Sequence, residues 1–468
     1  MLARSWTYLL GCLLFFTLVP VSSAEKTSSK RPNVLMIVID DLNDWVGCLG
    51  GHPQVKTPHI DRLAKKGMLF TNAHCQAPIC TPSRNSVLSG KLPSTTGCYD
   101  LSQTYDRSKS LAGVTSMPEY FAKRGYITIG GGKVFHGSGK GKFQIHLKGS
   151  RGGPRPNKRM HWKTAVWDWG PFPARDEQMG DYQLAKNAAG ALQEKRDRPF
   201  FMAVGFFRPH VPLHVPPKWF AAYDVNKIVL PKAPPEDLKD LPKAALDQPN
   251  NVAPRHAEML KKDRWRSIVQ AYLASISFAD SCVGEVLEGL EKGPHRDNTI
   301  IILWSDHGFH LGEKHHWAKR TLWEESTRVP LIFAGPQVLP CSLCRRPVGL
   351  IDLYPTLLKM CDLPLREGLE GKSLTPLLAD PQAKWDRPVI TTFLRNNHAI
   401  RNQHWRYIRY ADGSQELYDH RTDPNEWHNL AGNPKYANYM RELSVWLPEV
   451  NAEPTANVKR TPRKYDEQ

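Results

Sequence analysis

A chain of 468 residues is too long for one modest core and suits a large domain with a smaller companion, or two to three average domains. Its formal charge of +17 favours polyanionic partners. Nucleic acid is a poor candidate among them, because no aromatic-interleaved basic module accompanies the charge and the chain opens on an export signal.

That signal runs from Met1-Leu2-Ala3-Arg4 through an apolar stretch, Tyr8 to Val21, to Ser22-Ser23-Ala24. A basic start, an apolar middle and small residues at the end are the parts of a signal peptide. Residues 1–24 are therefore set apart from the fold, and the expectation is a periplasmic or secreted protein cleaved near Ala24. Removal deletes one charge, Arg4, and leaves +16. No later run approaches the apolar length a bilayer requires, so no transmembrane segment is expected.

Val34 to Ile39 is a continuous β-branched-rich run, the pattern of a strand buried on both faces, and it ends at Asp40-Asp41. Thr57-Pro58, with Ile60, Leu63 and Ala64 at helical spacing and Gly67 as a stop, predicts a helix with Thr57 as its N-cap. Cys80-Thr81-Pro82-Ser83-Arg84 opens a second helix that stops near Gly90. Ser116-Met117-Pro118-Glu119 reads as a capping box, and Tyr126 to Ile129 as a short strand leading into Gly130-Gly131-Gly132. From Gly131 to Met160 eight basic residues occur without one acid: Lys133, Lys140, Lys142, Lys148, Arg151, Arg155, Lys158 and Arg159. A solvated loop and a substrate-attracting rim explain that run equally well.

Helices are expected over Asp181 to Leu192, Trp265 to Leu290 and Asp352 to Met360, and buried strands over Phe200 to Phe206 and Thr299 to Trp304. Such alternation predicts an α/β fold with a mostly parallel sheet flanked by helices over 25–380. Short strand-like runs then follow at Val389 to Phe393, His398 to Arg401, Trp405 to Tyr410 and Glu416 to Tyr418. With a last helix from about Tyr436 to Trp446, they predict a smaller antiparallel α+β domain over 381–468.

Of nine cysteines, Cys12 lies in the signal peptide. Seven remain once Cys80 is set aside for chemistry, so they cannot all pair; Cys341 and Cys344 are close enough for a local disulfide. In a parallel sheet, ligands collect beyond the carboxyl ends of the strands, where Asp40-Asp41 and Asp306-His307 stand. Acid pairs also occur in ordinary strand-end turns, but two such ends favour a hard cation, and calcium suits irregular carboxylate ligation. Cys80 faces a helix N-terminus, which stabilises an anion, with Arg84 one turn on; the alternative is an inert buried thiol.

Cys-x-Pro-Ser-Arg followed by Leu88-Ser89-Gly90 resembles the modification signature of type I, formylglycine-dependent sulfatases. The resemblance covers nearly the whole mature chain and includes Pro32 to Asp41, Gly132 to His136, Arg208-Pro209-His210, Ser305 to Gly308, Leu311-Gly312-Glu313 and Trp317-Ala318-Lys319. At the C-terminus, Trp405 to Ile408, Glu416 to Asp419, Asp423-Pro424 and Asn429-Leu430 are similar to the family pattern. His307 after the metal Asp and the Lys-Val-Phe-His spacing resemble the iduronate-2-sulfatase branch. Arg208 stands where that branch often carries Lys.

The resemblance implies an alkaline-phosphatase-like fold and hydrolysis of sulfuric esters on a sulfated polysaccharide or oligosaccharide. It implies one Ca2+ held by Asp40, Asp41, Cys80, Asp306 and His307, and conversion of Cys80 to formylglycine by a formylglycine-generating enzyme. One hydroxyl of the hydrated aldehyde attacks sulfur with Asp306 as base. Arg84, Lys133 and Lys319 neutralise the sulfate oxygens, His210 protonates the leaving alcohol, and His136 assists release of sulfate. Trp45, His310, His315, Trp317 and Arg320 are candidates for the substrate pocket. Two rival readings are a phosphomonoesterase or phosphonate hydrolase on the same scaffold, and a secreted acidic-polysaccharide-binding protein with an unconverted Cys80.

Overall fold

The computed structural model describes residues 1–2, 31–137, 139, 141–149, 152–164, 166–247 and 253–457. Most of the expected signal peptide, from residue 3 onward, lies outside the described residues, as does Cys12. Among the described residues, no helix is long and apolar enough to cross a membrane.

An eight-stranded sheet forms the centre. In chain order its strands are β1 (Asn33–Ile39), β2 (Met68–Phe70), β3 (Ile127–Gly132), β4 (Ile145–His146), β5 (Phe200–Phe206), β6 (Thr299–Ser305), β7 (Leu331–Ala334) and β8 (Ser342–Cys344). Their spatial order is β8-β2-β7-β6-β1-β5-β3-β4. Only β7 runs against its neighbours. Every residue of β1 is buried, because helices cover both faces of the sheet. Leu35, Ile37 and Ile39 pack with Leu184 of α4 (Gly180–Gln193) and Ile268 of α5 (Trp265–Lys292). Val34, Met36 and Val38 point the other way, toward Val87 of α2 (Cys80–Ser89), Phe121 of α3 (Met117–Lys123) and Leu357 of α6 (Leu353–Met360).

Register decides where the chemistry lands. Ile39 pairs with Phe206 on one side and Ser305 on the other, while Gly132 pairs with Gly205. The residues that follow β1, β3, β5 and β6 therefore emerge side by side at one edge of the sheet. Gly205 has no side chain because the Lys133 backbone occupies that space: an added Cβ would lie 2.3 Å from the Lys133 carbonyl carbon.

The capping box at Ser116 is present, Glu119 accepting from the Ser116 backbone at 2.9 Å. Thr57 does not cap α1 (Pro58–Lys66) with its side chain. Its hydroxyl donates to Asp61 at 3.1 Å, and the free N–H groups of His59 and Ile60 go instead to the Asp280 carboxylate on α5, at 3.2 and 2.8 Å. A tertiary acceptor has replaced the local cap. The eight described cysteines, Cys341 and Cys344 included, are all free. Cys341 donates to the Lys65 carbonyl at 2.9 Å and Cys344 to that of Pro381 at 3.7 Å, so the expected local disulfide is absent.

The C-terminal strands β9 (Val389–Thr392), β10 (His398–Arg401), β11 (Trp405–Arg409) and β12 (Gln415–Asp419) form an antiparallel meander. One face meets Leu443 of α7 (Ala437–Ser444). The other packs Ala399, Ile408 and Tyr418 on Ala77, Ile79, Leu322 and Trp323. These contacts flank Cys80 and Lys319 in the chain. From Arg31 onward the chain forms one compact unit.

Substituting Gly205→Ala should lower stability by about 1–3 kcal/mol, the usual cost of forcing an extra methyl into a filled site. A chemical-denaturation midpoint equal to that of the unchanged protein would refute the close approach of Lys133.

Candidate active site

Asp40 and Asp41 end β1, Lys133 and His136 follow β3, His210 follows β5, and Asp306 and His307 follow β6. Cys80 begins α2, and Lys319 follows a two-pair hairpin of His310–Leu311 with Trp317–Ala318. These residues meet around one point.

Arg84 holds the centre from below. Its guanidinium is fully buried and donates to Asp40 and to Asp306, each at 2.9 Å, and to the carbonyls of Lys133 and Val134. These contacts make Arg84 an anchor for both carboxylates. The Lys133 ammonium closes on Asp40 and that of Lys319 on Asp41. Burial pushes the Asp40 carboxyl up, but Lys133, His210 and Arg84 together hold it well below the usual carboxylate range. At Asp306 burial prevails over Arg84, and the carboxyl rises to about 6.

The Cys80 thiol lies 3.6 Å from the Lys133 ammonium, 3.3 Å from that of Lys319 and 3.2 Å from His307 Nε2. Burial alone would raise its pKa, but those three positive groups drive it well below the ordinary thiol value. A buried thiol elsewhere moves the opposite way: burial pushes Cys361 up to about 12. The ring of His307 is buried, which opposes its charge, yet Asp306 lifts it to about 9. His136 faces Cys80 with its Nδ1 buried and unpartnered, and burial lowers its pKa. His210 Nε2 stands 3.8 Å from Asp41 Oδ2. Arg208 is buried and braces this turn, donating to the carbonyls of His210 and His214 at 3.0 Å each.

A cation fits this donor set. Ligand atoms of Asp40, Asp41, Cys80 and His210 lie within 4.8 Å of one another, as do those of Asp40, Cys80, Asp306 and His307. Asp41 Oδ2 is buried without a hydrogen-bond partner, the kind of orphan acceptor a cation satisfies.

Above Cys80 opens a cavity of about 550 Å³ bounded by Trp162, Trp167, Phe309, Lys163, Arg255 and Arg320. Arg320 is where the sequence placed it, but four other pocket candidates are elsewhere. Trp45 lies edge-on to Tyr272 and lines a different cavity of about 750 Å³. His310 is buried against Thr321 at 2.9 Å, His315 is bound to the Pro234 carbonyl at 3.1 Å, and Trp317 donates to His256 at 3.3 Å. The hairpin turns those three side chains away from Cys80. The tryptophans that do line the cavity sit at the end of the basic segment, where Trp162 and Trp167 were the available signal. That segment is not one uniform rim: Lys133 is in the site, while Lys142 pairs with Glu119 at 3.0 Å and Asp106 at 3.5 Å.

Carboxylates at parallel strand ends, opposite a buried cysteine on a helix start, suit the alkaline-phosphatase-like fold. The family profile described as Sulfatase matches residues 32–363, and that of N-sulphoglucosamine sulphohydrolase, C-terminal, matches 312–453. A sulfatase of Formosa agariphila is 40% identical over 446 residues, covering 90% of this chain and 87% of that protein. Iduronate 2-sulfatase of Mus musculus is 29% identical over 94% of this chain and 97% of its own. A solved structure of a protein with its substrate D-glucosamine-2-N,6-O-disulfate shares the fold at a TM-score of 0.71 and 23% identity, over 89% of this chain and 96% of that one. The chain belongs to the sulfatase family and is a sulfuric ester hydrolase resembling the iduronate-2-sulfatase branch.

Removing Arg84 takes a fork from two buried carboxylates, leaving Asp40 to Lys133 and Asp306 to His307. Arg84→Met should cost about 3–5 kcal/mol in denaturant unfolding, with Arg84→Lys losing less because it keeps the charge and forfeits only the fork. Equal stability for all three proteins would show that the anchoring is not energetic.

Proposed function

We propose that this enzyme removes sulfate from a sulfated polysaccharide or an oligosaccharide derived from it, using formylglycine made from Cys80 and one calcium ion. The observation that carries the proposal is the Cys80 side chain held among Lys133, Lys319 and His307 at 3.2 to 3.6 Å. An anion at this position is stabilised from three directions.

Asp40, Asp41, Asp306 and His307, with the modified residue 80, would hold the calcium ion. Hydrated formylglycine would supply a hydroxyl nucleophile and, through its second hydroxyl, the means of eliminating sulfate, and a bound cation would make the nucleophile more acidic. Asp306 accepts the proton from the attacking hydroxyl. Lys133 and Lys319 neutralise the sulfate oxygens as charge shifts toward the leaving group. His210, the one partly open imidazole beside Asp41, donates a proton to the departing alcohol. His136, unpartnered at Nδ1, takes the proton that accompanies sulfate release. Arg84 positions Asp40 and Asp306.

The cavity volume suits a terminal sugar with part of its neighbour. Trp162, Trp167 and Phe309 offer apolar ring surface, and Lys163, Arg255 and Arg320 attract an anionic chain. Export through residues 1–24 places the enzyme where such glycans occur, in the periplasm or outside the cell, and a formylglycine-generating enzyme completes its maturation.

Mass analysis of the peptide containing residue 80, from the native source, should show an aldehyde in place of the thiol. Cys80→Ala should abolish sulfate release from desalted sulfated oligosaccharides without unfolding the protein. A thiol in native enzyme, or retained activity in the variant, would sink the mechanism.

Calcium added to chelator-treated enzyme should raise the melting temperature by several degrees at about 100 times its dissociation constant, since that concentration stabilises by about 2.7 kcal/mol. Asp41→Asn should lose most of that rise. An identical rise in the variant would remove Asp41 from the ligand set.

A further inference from the structure

Lys319 is delivered by a strained backbone. Between Leu311 and Thr321, four residues other than glycine adopt left-handed conformations: Lys314 at φ 49°, His315 at 51°, Ala318 at 71° and Arg320 at 80°. Each such conformation is unfavourable for a residue with a side chain and persists only where the surroundings hold it. The hairpin that closes this loop has two residue pairs, His310 with Ala318 and Leu311 with Trp317, which is too little to hold it alone.

Beside the hold of the Pro234 carbonyl on His315 and of the Pro78 carbonyl on the Arg320 N–H, the charged restraint comes from Lys314. Its side chain is buried, and the ammonium lies 2.8 Å from Asp237 Oδ1 and on the carbonyl of Glu426. The rings of Trp323 and Tyr418 stand 5.3 and 5.4 Å away, so the charge is caged between aromatic faces. Glu416 locks that cage, accepting from Trp323 Nε1 at 2.8 Å and from the Tyr418 hydroxyl at 2.5 Å. Lys314 thus pins the loop to the C-terminal sheet through Tyr418 and Glu426, and to the segment before α5 through Asp237.

Stability is a poor reason for this arrangement. A buried ion pair roughly breaks even against apolar residues of similar size, and Asp237 Oδ2 is left buried without a partner. Geometry is the better reason. Lys314 is outside the group that surrounds Cys80, yet it fixes the turn five residues before the ammonium that touches Cys80 and Asp41.

We propose that Lys314 and Asp237 are positioning residues: their caged ion pair holds the strained 312–320 loop so that Lys319 meets the sulfate group in the transition state. The proposal rests on the role given to Lys319 under the proposed function.

The test uses Lys314→Met/Asp237→Asn, which removes both charges of the pair together. Three properties are measured on the full-length enzyme: melting temperature, hydrogen exchange of the 309–320 amides, and kcat and KM for sulfate release. The expected result is about tenfold faster exchange in that segment, with β1 and β6 unchanged. With it, kcat should fall about 100-fold, the usual penalty for misplacing a catalytic group by about 1 Å, while KM changes far less. Should the double variant fail to fold, the isosteric Asp237→Asn should shift both readouts the same way by a smaller factor. Unchanged loop exchange beside a lowered melting temperature would overturn the proposal, and so would faster exchange with kcat intact. If the unsubstituted enzyme releases no sulfate, the sulfatase mechanism falls and the exchange measurement alone decides whether the pair restrains the loop.

Discussion

Three carboxylates without water are the constraint around which this fold is built. Asp40, Asp41 and Asp306 are fully buried, and isolated charges there would be prohibitively costly. Arg84, Lys133 and Lys319 compensate them one for one. Each cation arrives from a different element: the helix after Cys80, the turn after β3 and the hairpin after β6. Charge balance therefore ties the pairing of β1 with β5 and β6 to the packing of α2 and to the course of the 312–320 loop. The small residue at Gly205 and the buried fork of Arg84 serve the same requirement, since both let a cation approach the strand ends from the backbone side.

What was legible in the sequence is what local pattern encodes. The apolar run before Asp40-Asp41 declares a strand covered on both faces, and Cys80 to Gly90 carries a helix start, a stop and a recognisable motif in eleven residues. The C-terminal meander was equally visible, because turn residues such as Asp412-Gly413 punctuate its strands. The failures are of a different kind. Proximity in the chain suggested that Trp45, His310, His315 and Trp317 line the pocket, but side-chain direction depends on the hairpin and on which partner lies across it. Thr57 looked like a cap because a local signal cannot reveal that Asp280, more than two hundred residues away, takes the same N–H groups. The anchoring role of Arg84 was equally hidden, because its two carboxylate partners stand at strand ends far from it in the chain.

The hairpin region has two sides, which explains why the C-terminal sheet matters to a site it does not enter. Phe309, Ala318, Lys319 and Arg320 face the cavity over Cys80, whereas Glu313 and Glu324 face the larger cavity beside Trp45. Beyond Lys319, Glu324 takes ion pairs from Arg401 and Arg406 of the C-terminal sheet, and Arg406 is also paired with Glu426. A sheet that grips both ends of this wall restricts how far Lys319 can drift. Such restriction matters because electrostatic stabilisation of a transition state depends on charges already in place when the reaction begins.

The same charge count bears on what the proposed conversion of Cys80 would do. As encoded, the depressed thiol and the elevated imidazole of His307 add one negative and one positive group to three carboxylates and three cations. That cluster leaves little need of a further anion, since the Cys80 sulfur itself occupies the place between Lys133 and Lys319. The proposed conversion to a neutral aldehyde would remove any negative charge on residue 80 and leave Lys133 and Lys319 with Asp40 and Asp41 alone, and a bound divalent cation would enlarge the deficit. A sulfate monoester brings a single negative charge spread over three oxygens, which suits two cations converging on one point. On this account the modification does two things at once: it supplies the nucleophile, and it creates the vacancy in charge that a sulfate ester fills.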